Sequence, residues 1–203
     1  MRLNKSAHKG HGPRGWLVAS IAIISLVVFI GAYVALENDL NSAPVYSPLK
    51  HPEINERLNI AREHLNEKRY PQSERTLREA INSAPANALA HNLLGLTLKK
   101  QNRFNDAIAS YETAITLRPS NFEARNNLAV ALEAVGRMRE AEGVYLRALQ
   151  DAPADPTLHL NLALLLEHEG RISEALEHYF TFVNISRENE LIALVRMRIE
   201  SIK

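Results

Sequence analysis

Eight histidines and 23 carboxylates could support acid–base or metal chemistry, provided their spacing brings them together. Glu63-His64 and His168-Glu169 are adjacent pairs. The H-E-x-x-H spacing, which puts two imidazoles on one helical face with a carboxylate beside them, does not occur. Nor does the sequence contain G-x-x-x-x-G-K-S/T, G-x-G-x-x-G or G-x-S-x-G, so neither a phosphate-cradling loop nor a nucleophile elbow is expected. The chain has no cysteine, which removes disulfides, thiolate metal sites, a cysteine nucleophile and a cysteine-linked lipid. His91 and His159 recur at one position of an internal repeat, so repeat geometry accounts for them better than metal ligation. The expectation is a protein with no catalytic residues, no metal and no cofactor.

The charges say where such a protein would sit. A net charge of +1 over 203 residues averages three unlike segments. Residues 1–15 carry Arg2, Lys5, Lys9 and Arg14 and no acid; residues 16–36 carry no charge; the remainder holds 20 basic and 23 acidic groups. An acidic body argues against nucleic acid as a partner.

The neutral segment, Trp16 to Leu36, has 21 residues, with only Ser20, Ser25 and Gly31 outside the hydrophobic set. At a helical rise of about 1.5 Å per residue it would reach about 31 Å, matching a hydrocarbon core of about 30 Å. Trp16 and Tyr33 lie near its ends, where amphipathic rings favour the headgroup region. It is longer than a signal-peptide apolar region, and cleavage after Ala35 would put Tyr33 where a small residue is needed. The segment therefore reads as a retained signal anchor, a single transmembrane helix. The basic tip before it, with Glu37 and Asp39 after it, places the N-terminus in the cytoplasm and the body outside by the positive-inside rule. In a bacterium this means the cytoplasmic (inner) membrane with a periplasmic body. Residues 37–53 carry Pro44, Pro48 and Pro52 and read as an extended spacer.

The body repeats every 34 residues. Ala61, Gly95, Ala129 and Ala163 share this spacing, as do Ala107, Ala141 and Ala175, then Tyr111, Tyr145 and Tyr179. Ala80, Ala114 and Ala148 form a further series, and Pro85, Pro119 and Pro153 another. One fixed period across independent positions marks stacked supersecondary units. Each unit reads as a helical hairpin. Leu94, Gly95 and Leu98 share a face of a first helix, whose small residue admits a neighbouring helix. Ala107, Ile108, Tyr111, Ala114 and Ile115 stripe a second helix. Asn102-Arg103, and later Gly136 and Gly170, occupy the turn, and the proline closes the unit.

This pattern of small, aromatic and proline positions resembles the tetratricopeptide repeat (TPR) family. Four units fit, 54–87, 88–121, 122–155 and 156–189, about two-thirds of the chain. The departures are His91 and Arg125 at the family's tryptophan position, His64 and Ser73 in the first unit, and Phe182 and Arg187 in the fourth. Residues 190–203 then read as a capping helix with the stripe Leu191, Val195, Ile199 and Ile202. The expected fold is all-α: an α-solenoid of about four TPR hairpins with a C-terminal cap, preceded by the transmembrane helix.

The resemblance implies a concave, ligand-binding surface lined by first helices. The positions the family uses map to Leu58 and Arg62, Asn92 and Leu96, Asn126 and Val130, and Leu160 and Leu164. Lys99, Lys100, Glu133, Glu167 and His168 flank them. An apolar strip with two amides suits an extended peptide or an amphipathic helix of a protein partner. The competing reading makes Leu96, Val130 and Leu164 inter-repeat core. Chaperone-associated members of the family grip a terminal carboxylate with a Lys/Asn/Arg clamp. The matching positions here are Leu58, Arg62, Leu93, Glu123 and Asn127, so that clamp is absent. The expected function is a non-catalytic scaffold or adaptor in envelope, secretion, pilus or cytochrome assembly. The alternatives are a self-associating structural protein, a homo-oligomer through the last helix or the repeat ends, and an accessory subunit of a membrane enzyme complex or translocon.

Overall fold

In a computed structural model of the protein, residues 52–187 and 189–202 are described. They form nine α-helices and no strand. Four hairpins follow one another: α1 (Pro52–Asn66) with α2 (Tyr70–Ser83), α3 (Ala88–Lys100) with α4 (Phe104–Leu117), α5 (Phe122–Ala134) with α6 (Met138–Asp151), and α7 (Pro156–His168) with α8 (Ile172–Ile185). A single helix, α9 (Asn189–Ile202), packs on α8. No helix among the described residues is long and apolar enough to cross a membrane. The expected transmembrane helix, 16–36, lies outside the described residues, as do the basic tip and nearly all of the spacer. The spacer reading needs correction at its end: Pro52 opens α1, because a proline at the first helical position forfeits no intrahelical hydrogen bond.

The 34-residue period also fixes the helix ends. Asn87, Asn121 and Asp155 cap α3, α5 and α7, each side chain accepting from the N–H three residues on, at 3.0–3.1 Å. These bonds satisfy donors that the first turn leaves orphaned. Each hairpin turn contains one left-handed residue: Lys68 (φ 59°), Asn102 (φ 61°), Gly136 (φ 80°) and Gly170 (φ 78°). The following N–H then reaches back to close the first helix, as from Arg103 to the Leu98 carbonyl at 3.0 Å. This is the Schellman geometry that favours glycine; the first two units manage it with lysine and asparagine.

Packing explains the small residues. Ala61, Ala129 and Ala163 on first helices, and Ala107, Ala141 and Ala175 on second helices, are fully buried with Tyr111, Tyr145 and Tyr179. The first unit departs from the alanine pattern at Ser73, yet Ser73 is also fully buried. Its Oγ lies 2.9 Å from the Ala61 carbonyl and 3.0 Å from Thr97 Oγ1, so burial of the hydroxyl is compensated. His64, where the later units carry leucine, keeps Nδ1 buried without a partner. In the fourth unit Phe182 fills an alanine position and joins the core with Val195 and Ile199 of α9. Helix α8 ends without a proline, through a 2.8 Å bond from Ser186 N–H to the Phe182 carbonyl.

First helices approach one another along the array, α1 to α3, α3 to α5 and α5 to α7, whereas no two second helices do. The first-helix row is therefore on the inside of the bend.

Candidate binding groove

The eight groove positions do not behave alike. Leu164 on α7 is 50% exposed, and Leu96 is half-buried. Val130 and Leu160 are also half-buried but pack against the core. Arg62 is exposed, its guanidinium 3.3 Å from Asn59 Oδ1. Leu58 has 1% exposure and belongs to the core, so it is unavailable to a ligand. The reading of these residues as inter-repeat packing thus holds for Val130 and fails for Leu164.

Asn92 and Asn126 have protein partners. Asn92 is only 7% exposed, and its Oδ1 accepts from Asn127 Nδ2 at 3.3 Å. Asn126 Oδ1 accepts from Asn161 Nδ2 at 2.8 Å. Each bond joins a first helix to the next one, so the amides set the pitch between neighbouring units. A cleft of about 310 Å³ beside this ladder is lined by Phe122, Glu123, Asn126, Asn127, Asp155 and Leu158.

A second ladder runs at the ends of the first helices. The Tyr145 hydroxyl donates to Glu133 Oε1 at 2.6 Å, and the Tyr179 hydroxyl to Glu167 Oε2 at 2.6 Å. Burial pushes the Glu133 carboxyl up, opposed by the Tyr145 bond and the charge of His168. Glu167 is held low, first by its hydrogen bond from Arg198 of α9 and then, against burial, by Tyr179. At the same register in the second unit stands Lys99, half-buried and without a carboxylate partner among the described residues. Burial and the neighbouring Lys100 both lower its affinity for a proton. The inner surface is therefore basic at Arg62, Lys99 and Lys100 and acidic at Glu133 and Glu167.

The recurrent histidines serve the backbone. His91 Nε2 lies 2.9 Å from the Pro85 carbonyl, and His159 Nε2 lies 3.0 Å from that of Pro153. A carbonyl only accepts, so Nε2 carries the proton in both. His159 Nδ1 then accepts from His178 Nδ1, 2.9 Å away. Burial, and next the proximity of His159, push the His178 imidazole down. No group of three metal-ligating side chains occurs among the described residues.

Neither ladder was foreseen from sequence. The tyrosine bond had a signal, a carboxylate twelve residues ahead of two of the three periodic tyrosines. The asparagine ladder had one in the paired asparagines, Asn92 with Asn127 and Asn126 with Asn161, each 35 residues apart.

The described fold is a TPR-like α-solenoid whose first helices line its inner face. A family profile described as tetratricopeptide repeat matches residues 93–156 and 134–180. Among solved structures, MamA AMB-1 is similar at 26% identity, covering 66% of this chain and 78% of that one, with a TM-score of 0.55. MamA MSR-1 gives 26% identity, 65% and 76% coverage, and a TM-score of 0.56. The first TPR of Spaghetti (RPAP3), solved with the HSP90 peptide SRMEEVD, shares the fold at 15% identity, over 60% of this chain and 96% of that one, with a TM-score of 0.57. No curated protein matches the sequence.

Proposed function

We propose that the chain is a non-catalytic TPR scaffold, anchored in the bacterial cytoplasmic membrane through residues 16–36, which holds a segment of a protein partner along its first-helix row on the outer side. The observation that carries this reading is Leu164, a large apolar side chain left half-exposed on the inner row. Leu160 lies one turn before it on α7, and Leu96 and the charged ends of the first helices lie further along the same row. A fold of this kind holds a peptide in the RPAP3 structure. Burial of two leucines and the stems of flanking residues would contribute several kcal/mol, at about 25 cal/mol per Å². Crosslinking in native membranes tests the groove. Wild type should capture a partner that the Leu96→Asp/Leu164→Asp variant loses, with an unchanged helical signal; equal capture by both would refute the groove. Protease digestion of sealed spheroplasts tests topology, the array being cleaved only if it lies outside.

A second reading, self-association, is favoured by Leu194 and Met197 of α9, which are 58% and 62% exposed. Light scattering of the detergent-solubilised chain would show a mass that falls to the monomer in Leu194→Asp/Met197→Asp. A monomeric wild type at all concentrations would sink this reading.

A further inference from the structure

Three units place a tyrosine at one position of their second helix, and two of them satisfy its hydroxyl in the same way. Tyr145 and Tyr179 each donate to a glutamate twelve residues earlier, at 2.6 Å. Tyr111 occupies the identical position, is 0% exposed, and its hydroxyl has no hydrogen-bond partner. The residue twelve positions before it is Lys99. This rung therefore carries a cation where the next two carry a carboxylate. A buried hydroxyl left unpaired is costly, and a half-buried ammonium without a counter-ion among the described residues is also unfavourable. Both deficits are removed by one group, a carboxylate placed between them.

We propose that the Lys99 ammonium and the Tyr111 hydroxyl form a carboxylate-binding site on the inner face of the second unit, which selects partner segments carrying an Asp or Glu side chain. The site rests on the groove reading above and names the chemistry of the segment the groove takes. The incoming carboxylate occupies the place that Glu133 and Glu167 fill in the next two units. It pairs with Lys99, whose flexible four-carbon stem swings aside, and only then accepts a hydrogen bond from the otherwise covered Tyr111 hydroxyl. Next along the row, Glu133 and Glu167 repel a second acid, so the acidic residue is fixed over the second unit. The segment's apolar side chains then lie toward Leu96 and Leu164. Arg62 and Lys100 are also on the basic side, and they add attraction without geometry. This is a different place from the terminal-carboxylate clamp of chaperone-associated members of the TPR family, whose positions here hold Leu58, Arg62, Leu93, Glu123 and Asn127, neither Lys99 nor Tyr111 among them.

The test uses the full chain in detergent, immobilised and exposed to three pools of nine-residue peptides with Glu, Gln or Lys fixed at the centre and random residues elsewhere. Retained peptides are quantified by mass spectrometry. The Glu pool should be retained at least fivefold over the other two. Lys99→Glu rebuilds the rung found in the neighbouring units, and it should abolish the preference while raising the melting temperature. Tyr111→Phe should cut the preference about threefold without lowering the melting temperature, because it deletes a hydroxyl that has no partner in the free protein. Equal retention of the three pools, lost in Leu96→Asp/Leu164→Asp, would overturn the carboxylate site and leave the groove standing. A Glu preference undiminished in Lys99→Glu or in Tyr111→Phe would also overturn it. Retention of none of the pools would overturn site and groove together.

Discussion

A β-carbon built on Gly95 would stand 2.6 Å from Cε1 and 2.7 Å from Cδ1 of Tyr111. The equivalent first-helix positions hold alanine, Ala61, Ala129 and Ala163, and are buried without glycine. In the second hairpin the tyrosine ring therefore lies directly against the α3 backbone. Gly95→Ala would gain about 1 kcal/mol of helix propensity and lose about 1–3 kcal/mol to overpacking against a buried ring. The expected net is a loss of about 1 kcal/mol, read as a lower denaturant midpoint with an unchanged slope. A stabilised variant would show that the ring has room to retreat.

Lys68 occupies the left-handed turn position at φ 59°, where the third and fourth units use Gly136 and Gly170. The strain on a residue with a side chain is removed by glycine, at the smaller cost of a freer unfolded chain. Lys68→Gly should stabilise the array by about 0.5–1 kcal/mol, and Gly136→Lys should destabilise it by at least as much. Thermal melts of both would check the sign.

Glu74 is the electrostatic tie between the first two units. It accepts from Gln101 at 2.9 Å, from Arg103 at 3.0 Å, and from Arg78 on its own helix at 2.8 Å. Burial alone would push its carboxyl up, but these donors outweigh burial and hold it down at about 2. A depressed carboxylate contributes stability that is complete above its unfolded pKa and disappears as pH falls through the folded one. Glu74→Gln should cost about 1 kcal/mol at pH 7, given charge-assisted bonds shared with exposed arginines. The difference from wild type should shrink between about pH 4.3, the unfolded carboxyl, and pH 2. A difference that stays constant over that range would show that the charge is not what matters.

The tyrosine ladder yields a contrast between units. Tyr145→Phe removes the hydroxyl that donates to half-buried Glu133 and should destabilise by about 1–2 kcal/mol at neutral pH. Because the Glu133 carboxyl is already raised by burial, losing the donor raises it further. The penalty should therefore fall as the pH is lowered and Glu133 takes up a proton. Tyr111→Phe, at the same position of the preceding unit, should be neutral or mildly stabilising, since its hydroxyl has no partner. Urea titrations of the two variants at pH 7 and pH 5 would separate these outcomes.

The hairpin turns show how much of the architecture is legible in the chain. Gly136 and Gly170 announce their turns, because few other residues accept a positive φ cheaply. Lys68 and Asn102 are found only by counting 34 residues back. Counting works because stacked units are nearly equivalent surroundings, so one recognised unit transfers its geometry to the next. It fails where a unit has a different neighbour. Phe182 reads as a departure until α9 is seen to pack on α8, and Ser73 reads as degenerate until its hydroxyl is found on the Ala61 carbonyl.

The groove divides along the same line. Periodicity placed Asn92, Asn126, Leu96 and Leu164 on first helices, and the resemblance to the TPR family assigned them to the inner face. Whether each faces a partner depends on what the adjacent helix brings opposite it, and that is a matter of pitch between units. Only the folded array shows that Asn127 and Asn161 engage the two amides, that Val130 is packed, and that Leu164 stays open. The sequence by itself determined the repeat, the hairpins and their ends, because these rest on contacts within one period. The tertiary structure decided which polar groups are satisfied and which are left for a partner, because those contacts run between side chains of different helices, whose mutual setting no local pattern encodes.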